Sequence, residues 1–133
     1  MQRFRKRTIK HDGVIGGNMN ETEYLYYVWL THINGIGPVI GKKLLSIFKS
    51  PRVIYNLNFG ELSRAEGIGS EAAKKIAKAR DLGISEYIIK NCIDKGIKIT
   101  VIDDDIYPEI LKKYNNIPLL FYYSGTLFKS LTG

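Results

Sequence analysis

Apolar residues recur every three to four positions along most of the first 95 residues, which is the spacing of amphipathic helices. The first such helix is predicted to begin with Thr22 as its N-cap, and it places Trp29 in the core. Pro51 is predicted to break the chain between two helical segments. The last helical pattern, over residues 85–95, has Tyr87, Ile88, Cys92 and Ile93 on its apolar side. The other helical segments are residues 42–48, 53–57, 61–65 and 72–79.

The pattern changes after Gly96. Residues 97–102 are mostly β-branched and predict a strand, the three Asp at 103–105 predict a solvated turn, residues 108–114 a short helix and residues 119–123 a second strand. Strand, helix, strand is the beginning of a parallel α/β sheet, and two strands with one short helix do not form a stable sheet alone. We therefore expect an incomplete α/β unit of a longer protein here. The alternative is that the strands pack on the helical region as a small appendage.

The most specific feature is an internal repeat. Gly-Ile-Gly at residues 35–37 recurs 32 residues later at 67–69, and a Lys-Lys pair follows each copy at the same distance. Each copy predicts a tight turn between two helices, with glycine supplying positive φ and the central isoleucine pointing into the core. Pro38 fits the first position of one following helix, and Ser70 is a suitable cap for the other.

These turns are candidate phosphate-binding sites. The first N–H groups of a helix lack an intrahelical acceptor and lie at the positive end of the helix dipole, so a phosphate can accept from them. Glycine also leaves room for a close approach, and the small residues Gly41 and Ala73 are expected to let the helices of each hairpin pack tightly. Because Glu66 and Glu71 flank the second turn, we expect the first turn to be the better phosphate site. The predicted phosphate-binding residues are Gly35, Ile36, Gly37, Lys42, Lys43, Gly67, Gly69, Ser70, Lys74 and Lys75.

Charge agrees with this prediction. The chain of 133 residues has 20 Lys and Arg against 13 Asp and Glu, a formal net charge of +7, and its 44% hydrophobic content excludes an intrinsically disordered chain. Residues 30–80 hold nine of the cations against three Glu. Such a concentration is typical of a surface that faces phosphates, and the alternative is that these cations only solvate helix faces. Residues 1–18 are basic, have no periodicity and are predicted to be a disordered leader.

The sequence offers no catalytic or metal-binding arrangement, so we expect no enzyme activity, no cofactor and no metal. No histidine has partners at the spacing of a catalytic triad, and no Gly-Lys-Ser/Thr follows the glycine-rich turns. No apolar run reaches the roughly 20 residues that cross a bilayer. The single Cys92 cannot form an intramolecular disulfide and is expected to be a core thiol. A cytoplasmic location without membrane contact is therefore expected.

Taken in order, these features resemble the DprA/Smf family. The paired hairpins resemble the tandem helix-hairpin-helix (SAM-like) domain that grips DNA phosphates without reading sequence. A strand, Tyr-Pro-x-x-Leu at residues 107–111, Pro118 with an apolar strand, and Gly125 then follow as in the family. The resemblance implies a mainly α fold: the tandem domain over residues 19–95, then a truncated α/β (strand-helix-strand) start of a Rossmann-like sheet over 96–133.

The same resemblance implies function. Family members are non-enzymatic DNA-processing proteins that bind single-stranded DNA, load RecA during natural transformation and form homodimers. The family's central DNA-binding positions would lie beyond residue 133, so none of them is transferred to this sequence. The alternative class is a protein-protein interaction module without direct DNA contact, since SAM-like domains often bind proteins.

Overall fold

The computed structural model describes residues 21–114 and 116–124. The predicted leader at 1–18 and the family glycine Gly125 lie outside these residues. In the described part, six α-helices are followed by two strands that flank a short 3-10 helix. The helices are α1 (Glu21–Thr31), α2 (Pro38–Phe48), α3 (Pro51–Tyr55), α4 (Phe59–Ser63), α5 (Gly69–Lys78) and α6 (Gly83–Lys95), and the strands are β1 (Lys98–Val101) and β2 (Leu120–Tyr123).

Helix α1 is the centre of the fold, in contact with α2, α3, α6 and both strands. Glu21 already belongs to this helix, so Thr22 lies inside it and the predicted N-cap at Thr22 is wrong. The prediction for Trp29 is confirmed, because its side chain is buried and its indole N–H donates to the carbonyl of Ala79. That bond ties the central helix to the end of the second hairpin.

Helices α3 and α4 each begin two residues earlier than predicted. Each starts at an N-cap residue that the prediction from apolar spacing did not include. Pro51 does not break the chain but occupies the first position of α3, where its missing N–H costs nothing. The Ser50 hydroxyl accepts from the N–H groups of Arg52 and Val53. Asn58 caps α4 through a capping box with the residue three positions on. These caps fix the connection between the two hairpins.

Helix α6 turns most of its predicted apolar side to the core, since Cys92 is buried and Ile88 and Ile93 pack against the core cluster. Ser85, Ile89 and Cys92 are buried, whereas Tyr87 is 67% exposed, so its predicted place on the apolar side is wrong. The prediction of a core thiol is confirmed for Cys92, and burial raises the pKa of that thiol. Gly96 ends the helix with φ of 69°.

The two strands pair antiparallel, with Lys98 opposite Tyr123 and Val101 opposite Leu120. The parallel arrangement expected from strand-helix-strand is wrong for this pair. A parallel crossover needs a helix long enough to return along the sheet, and the predicted helix at 108–114 is only the 3-10 helix Glu109–Leu111. The segment after this 3-10 helix is instead attached to the first hairpin through Lys42, as described below.

The predicted solvated turn at residues 103–105 is in fact an anchor between the strands and α1. Asp104 is buried and accepts hydrogen bonds from the Tyr24 hydroxyl, the Thr100 hydroxyl and the Val101 N–H. Asp103 accepts from the hydroxyl of Tyr27. Burial, followed by the neighbouring Asp103 carboxylate, raises the pKa of Tyr27, which therefore stays a neutral donor.

Side chains from both sides of the predicted boundary at residue 95 share one hydrophobic core. Tyr27 and Ile89 from the helices pack in the same cluster as Ile99 and Leu119 from the strand region. In the described residues, the strands therefore pack on the helical region, as the alternative interpretation of the sequence proposed.

Candidate nucleic-acid interface

The two Gly-Ile-Gly turns have the predicted backbone. Gly35 and Gly67 have φ of 88° and 86°, a conformation that residues with a side chain rarely adopt. Ile36 and Ile68 are buried, as predicted, with 7% and 6% of their surface exposed. Each turn is therefore pinned by its isoleucine while its glycines stay at the surface.

The available N–H donors belong to the glycines rather than to the isoleucines. The N–H of Ile36 donates to the carbonyl of Ile33 at 3.1 Å, and that of Ile68 donates to Ala65 at 3.2 Å. Ile36, which was predicted as a phosphate ligand, therefore supports the turn. Between residues 21 and 124, leaving out residue 115, the N–H groups of Gly35 and Gly37 have no backbone acceptor.

The second glycine differs between the two turns. Gly37 has φ of −90° and caps α2, and Pro38 occupies the first helical position, as predicted. A methyl group on Gly37 would meet no atom within 4 Å, so neither its backbone nor its packing demands glycine. Gly69 has φ of 82°. The predicted cap at Ser70 is wrong, because α5 begins at Gly69 and no side chain caps it.

The four predicted lysines have different environments. Lys42 is already engaged, since its ammonium group donates to the carbonyl oxygens of Lys112 and Tyr114, both at 2.8 Å. It fastens the first hairpin to the segment before β2 and is not a free phosphate ligand, contrary to the prediction. Lys74 lies 4.0 Å from the carboxylate of Glu71, and both side chains are exposed.

The other two lysines cross between the hairpins. A Cβ atom built on Gly35 would lie 2.7 Å from the Nζ of Lys75, so the side chain of Lys75, from the second hairpin, covers the first turn. A Cβ atom built on Gly67 would lie 3.5 Å from the Nζ of Lys43, which comes from the first hairpin. Within the described ranges, neither ammonium group has a hydrogen-bond or ion-pair partner. Each turn therefore has a free cation above it.

The charge around the turns is asymmetric. The first turn of α2 contains no acidic residue, whereas the first turn of α5 contains Glu71, and the exposed Glu66 precedes that turn. An anion is therefore better accommodated at the Gly-Ile-Gly turn of residues 35–37 than at the one of residues 67–69. Arg80 does not add to this surface, because its guanidinium group donates to the carbonyl oxygens of Tyr55 and Leu57 at the end of α3. Burial lowers the pKa of that guanidinium group.

Gly41 is buried, but its predicted role in packing the first hairpin is wrong. A Cβ atom at this position would lie 2.6 Å from a methyl carbon of Leu119, so the residue that needs the space belongs to the segment before β2. The matching Ala73 of the second hairpin is fully buried.

The crosswise placement of Lys43 and Lys75 was missed in the sequence analysis, which assigned each lysine to its own hairpin. The sequence does contain a signal for this placement, because Lys43 and Lys75 are separated by the same 32 residues as Gly35 and Gly67. Two equivalent units that face each other exchange equivalent contacts, so a lysine reaching over the opposite turn is expected to do so twice.

No group of three His, Cys, Asp or Glu side chains between residues 21 and 124 is arranged to hold a metal ion, residue 115 being left out. None of the helices in the part of the chain that the structure describes has the length and apolar character needed to span a bilayer.

Comparison with known proteins identifies the helical region first. The family described as "SAM-like Helix-hairpin-helix tandem" matches residues 30–80, the part of the chain that contains both turns. Residues 30–80 are therefore a tandem helix-hairpin-helix domain, and the predicted domain type is confirmed.

Two curated proteins extend the similarity beyond that domain. Protein Smf of Synechocystis sp. is 26% identical over 109 residues, which are 82% of this chain and 27% of Smf. A DNA ligase of Ureaplasma urealyticum serovar 10 is 29% identical over 87 residues, 63% of this chain and 13% of the ligase. The chain thus spans about a quarter of one relative and about an eighth of the other. The similarity to the DprA/Smf family is confirmed, and no solved structure matches the chain significantly.

Proposed function

We propose that this protein binds the sugar-phosphate backbone of DNA, without reading base sequence, through its two Gly-Ile-Gly turns. The observation that carries the proposal is that each turn combines exposed glycines with an unpaired lysine ammonium group. A phosphate at such a place accepts from N–H groups and is neutralised by the cation. The helix-hairpin-helix domain and the similarity to Smf support a DNA-binding and DNA-processing role.

A preference for single strands, which the DprA/Smf resemblance implies, is the finer part of the proposal. A cleft of about 250 Å³ opens beside Gly37, lined in part by Pro38, Leu119 and Leu120. An unstacked base can enter such an apolar cleft while its phosphate lies at the turn, whereas the bases of a duplex are stacked and paired. We therefore expect a single-stranded oligonucleotide to bind more tightly than a duplex of the same length.

The remaining expectations from the family also stay proposals. In this proposal the chain acts without catalysis or cofactor, in the cytoplasm, as a part of a longer DNA-processing protein. RecA loading and self-association would require residues outside those described here. These steps belong to the whole protein, of which this chain is proposed to supply a DNA contact.

Binding should depend on salt and on the two crossing lysines. We expect the logarithm of the association constant for a single-stranded oligonucleotide to fall with the logarithm of salt concentration by about 0.7 for each phosphate contact. Replacing Lys43 and Lys75 together by Ala should reduce that slope by about 1.4 and weaken binding at least tenfold at about 50 mM salt. Fluorescence anisotropy with a labelled oligonucleotide of about 12 nucleotides measures both quantities.

The control for this experiment removes the same charge elsewhere. Lys90 and Lys98 are also exposed, and they lie on α6 and β1 rather than at the turns. Their replacement by Ala should leave the slope unchanged and weaken binding by less than about threefold, through the net charge alone. Equal losses for the two double variants, or no salt-dependent binding by the wild type, would contradict the proposal.

A protein-interaction module is the second candidate, and one observation favours it. Ile84 and Tyr87 lie one turn apart on α6 and are 63% and 67% exposed, so they form an adjacent apolar pair at the surface. If this candidate is correct, replacing both by Ser abolishes capture of a partner protein while DNA addition leaves the protein's amide signals unchanged.

A further inference from the structure

We infer that each phosphate site of the tandem domain is composite, with its turn supplied by one hairpin and its cation by the other. This inference rests on the proposed function and assigns the residues of its two sites. The first site would combine the turn of Gly35 and Gly37 with Lys75, which lies over Gly35. The second would combine the turn of Gly67 and Gly69 with Lys43, which lies over Gly67. The two hairpins then act as one binding unit, since neither holds a complete site.

The contacts at the first turn carry the argument. The side chain of Lys75 lies over Gly35 so closely that a Cβ atom there would be 2.9 Å from its Cδ and 2.7 Å from its Nζ. Gly35 is favoured by its φ of 88°, and the lysine of the other hairpin lies in the space that a side chain at this position would enter. The unpaired ammonium group therefore lies close to the turn, where it can neutralise a phosphate that accepts from the N–H groups.

The lysines that follow each turn in the same hairpin are less suited to supply the cation of that turn. In the first hairpin, Lys42 is held by two carbonyl oxygens, and Lys43 reaches toward Gly67 instead. In the second hairpin, Lys74 lies within 4.0 Å of Glu71. The crossing lysines are therefore the free cations that the geometry brings closest to the turns.

The asymmetry of charge gives the composite sites different strengths. The first turn lacks acidic neighbours, so its cation contributes more to affinity than the cation at the second turn, which Glu66 and Glu71 oppose. Because that cation is Lys75, its replacement should be the more damaging. Assignment by sequence proximity gives the opposite order, since Lys43 follows the first turn.

Double-mutant cycles on DNA affinity test the assignment. Gly37→Asn and Gly69→Asn perturb the two turns, and both should fold, because a Cβ atom at either position meets nothing within 4 Å. Asn is a favoured N-cap and also tolerates positive φ. Each turn variant is combined with Lys75→Ala and, separately, with Lys43→Ala, and affinity for a single-stranded oligonucleotide is measured by anisotropy.

The cycles should show coupling across the hairpins. We expect the effects of Gly37→Asn and Lys75→Ala to be non-additive by about threefold or more, and those of Gly69→Asn and Lys43→Ala likewise. The pairs within one hairpin should be additive to within about twofold. Lys75→Ala alone should weaken binding more than Lys43→Ala.

Two other results would have distinct meanings. Coupling within hairpins, or a stronger effect of Lys43→Ala, overturns the composite sites while leaving DNA binding in place. No salt-dependent binding by the wild type removes the proposed function itself. Circular dichroism and thermal unfolding of each variant identify any that fails to fold, and Lys75→Gln, which keeps the aliphatic stem over Gly35, replaces Lys75→Ala in that case.

Discussion

Replacing Gly37 by Asp is expected to weaken DNA binding at least tenfold while leaving the protein as stable as the wild type or slightly more stable. Gly37 is the N-cap of α2, and its φ of −90° and ψ of −178° suit any residue. Asp is among the best N-cap residues because its carboxylate accepts from the free N–H groups of the first turn and interacts favourably with the helix dipole. The helix therefore gains a cap.

The same substitution removes the phosphate site. The carboxylate would occupy the donors that a phosphate needs, and it would place a negative charge where the anion must approach. A loss of tenfold corresponds to about 1.4 kcal/mol, which is modest for one close like-charge contact. Anisotropy with a labelled oligonucleotide measures the affinity, and urea unfolding measures the free energy of unfolding.

Gly37→Asn is the matched control because it has the same shape and capping ability without the charge. It should bind DNA with an affinity between those of the wild type and Gly37→Asp. Wild-type affinity for Gly37→Asp, in a protein shown to be folded, would mean that the first turn does not contact DNA.

Replacing Asp104 by Ala should destabilise the protein by about 3 kcal/mol or more. The buried carboxylate accepts from the hydroxyls of Tyr24 and Thr100 and from the N–H of Val101. Its removal breaks the bond from Tyr24 and takes away the acceptor of the Thr100 hydroxyl and of the Val101 N–H. Each unsatisfied buried donor costs about 1–3 kcal/mol, partly offset where water enters. The free energy of unfolding from urea denaturation measures this effect.

The neighbouring Asp105 provides the control. Asp105 is exposed, so its replacement by Ala should change the free energy of unfolding by less than about 0.5 kcal/mol. An effect of Asp104→Ala as small as this would contradict the anchor between α1 and the turn after β1.

The features predicted correctly are those determined by a few adjacent residues. The turns at 35–37 and 67–69 follow from glycine backbone freedom and from one apolar residue between two glycines, so no distant contact is needed to predict them. The repeat made the prediction specific, because it required the same local structure twice. Pro38 at the first helical position followed from the same local reasoning.

The features that were missed depend on contacts between residues far apart in sequence. Lys42 looks like any exposed lysine in its helix, and only the folded chain brings the carbonyls of Lys112 and Tyr114 to it. Asp104 is charged and lies among other Asp residues, which is typical of a solvated turn. Its burial depends on Tyr24, which lies 80 residues earlier.

The face that a helix turns to the core, and the direction of a strand, also depend on contacts with distant residues. The apolar pattern of α6 includes Tyr87, but packing against α1 places Ile89 and Cys92 in the core and leaves Tyr87 outside. The direction of β2 relative to β1 is another feature that periodicity did not predict, because the connecting segment contains only the 3-10 helix Glu109–Leu111 and no crossover helix. Periodicity indicates that an element exists but not which neighbour it meets.

The most direct measurement is an NMR titration that follows the backbone amide signals of Gly35, Gly37, Gly67 and Gly69. Addition of a single-stranded oligonucleotide at low salt should shift these four signals more than the rest, and raising the salt should reverse the shifts. A peptide nucleic acid of the same sequence, which has no phosphates, should shift none of them. Equal shifts with the uncharged polymer, or shifts confined to the exposed face of α6 around Tyr87, would contradict phosphate binding at the turns.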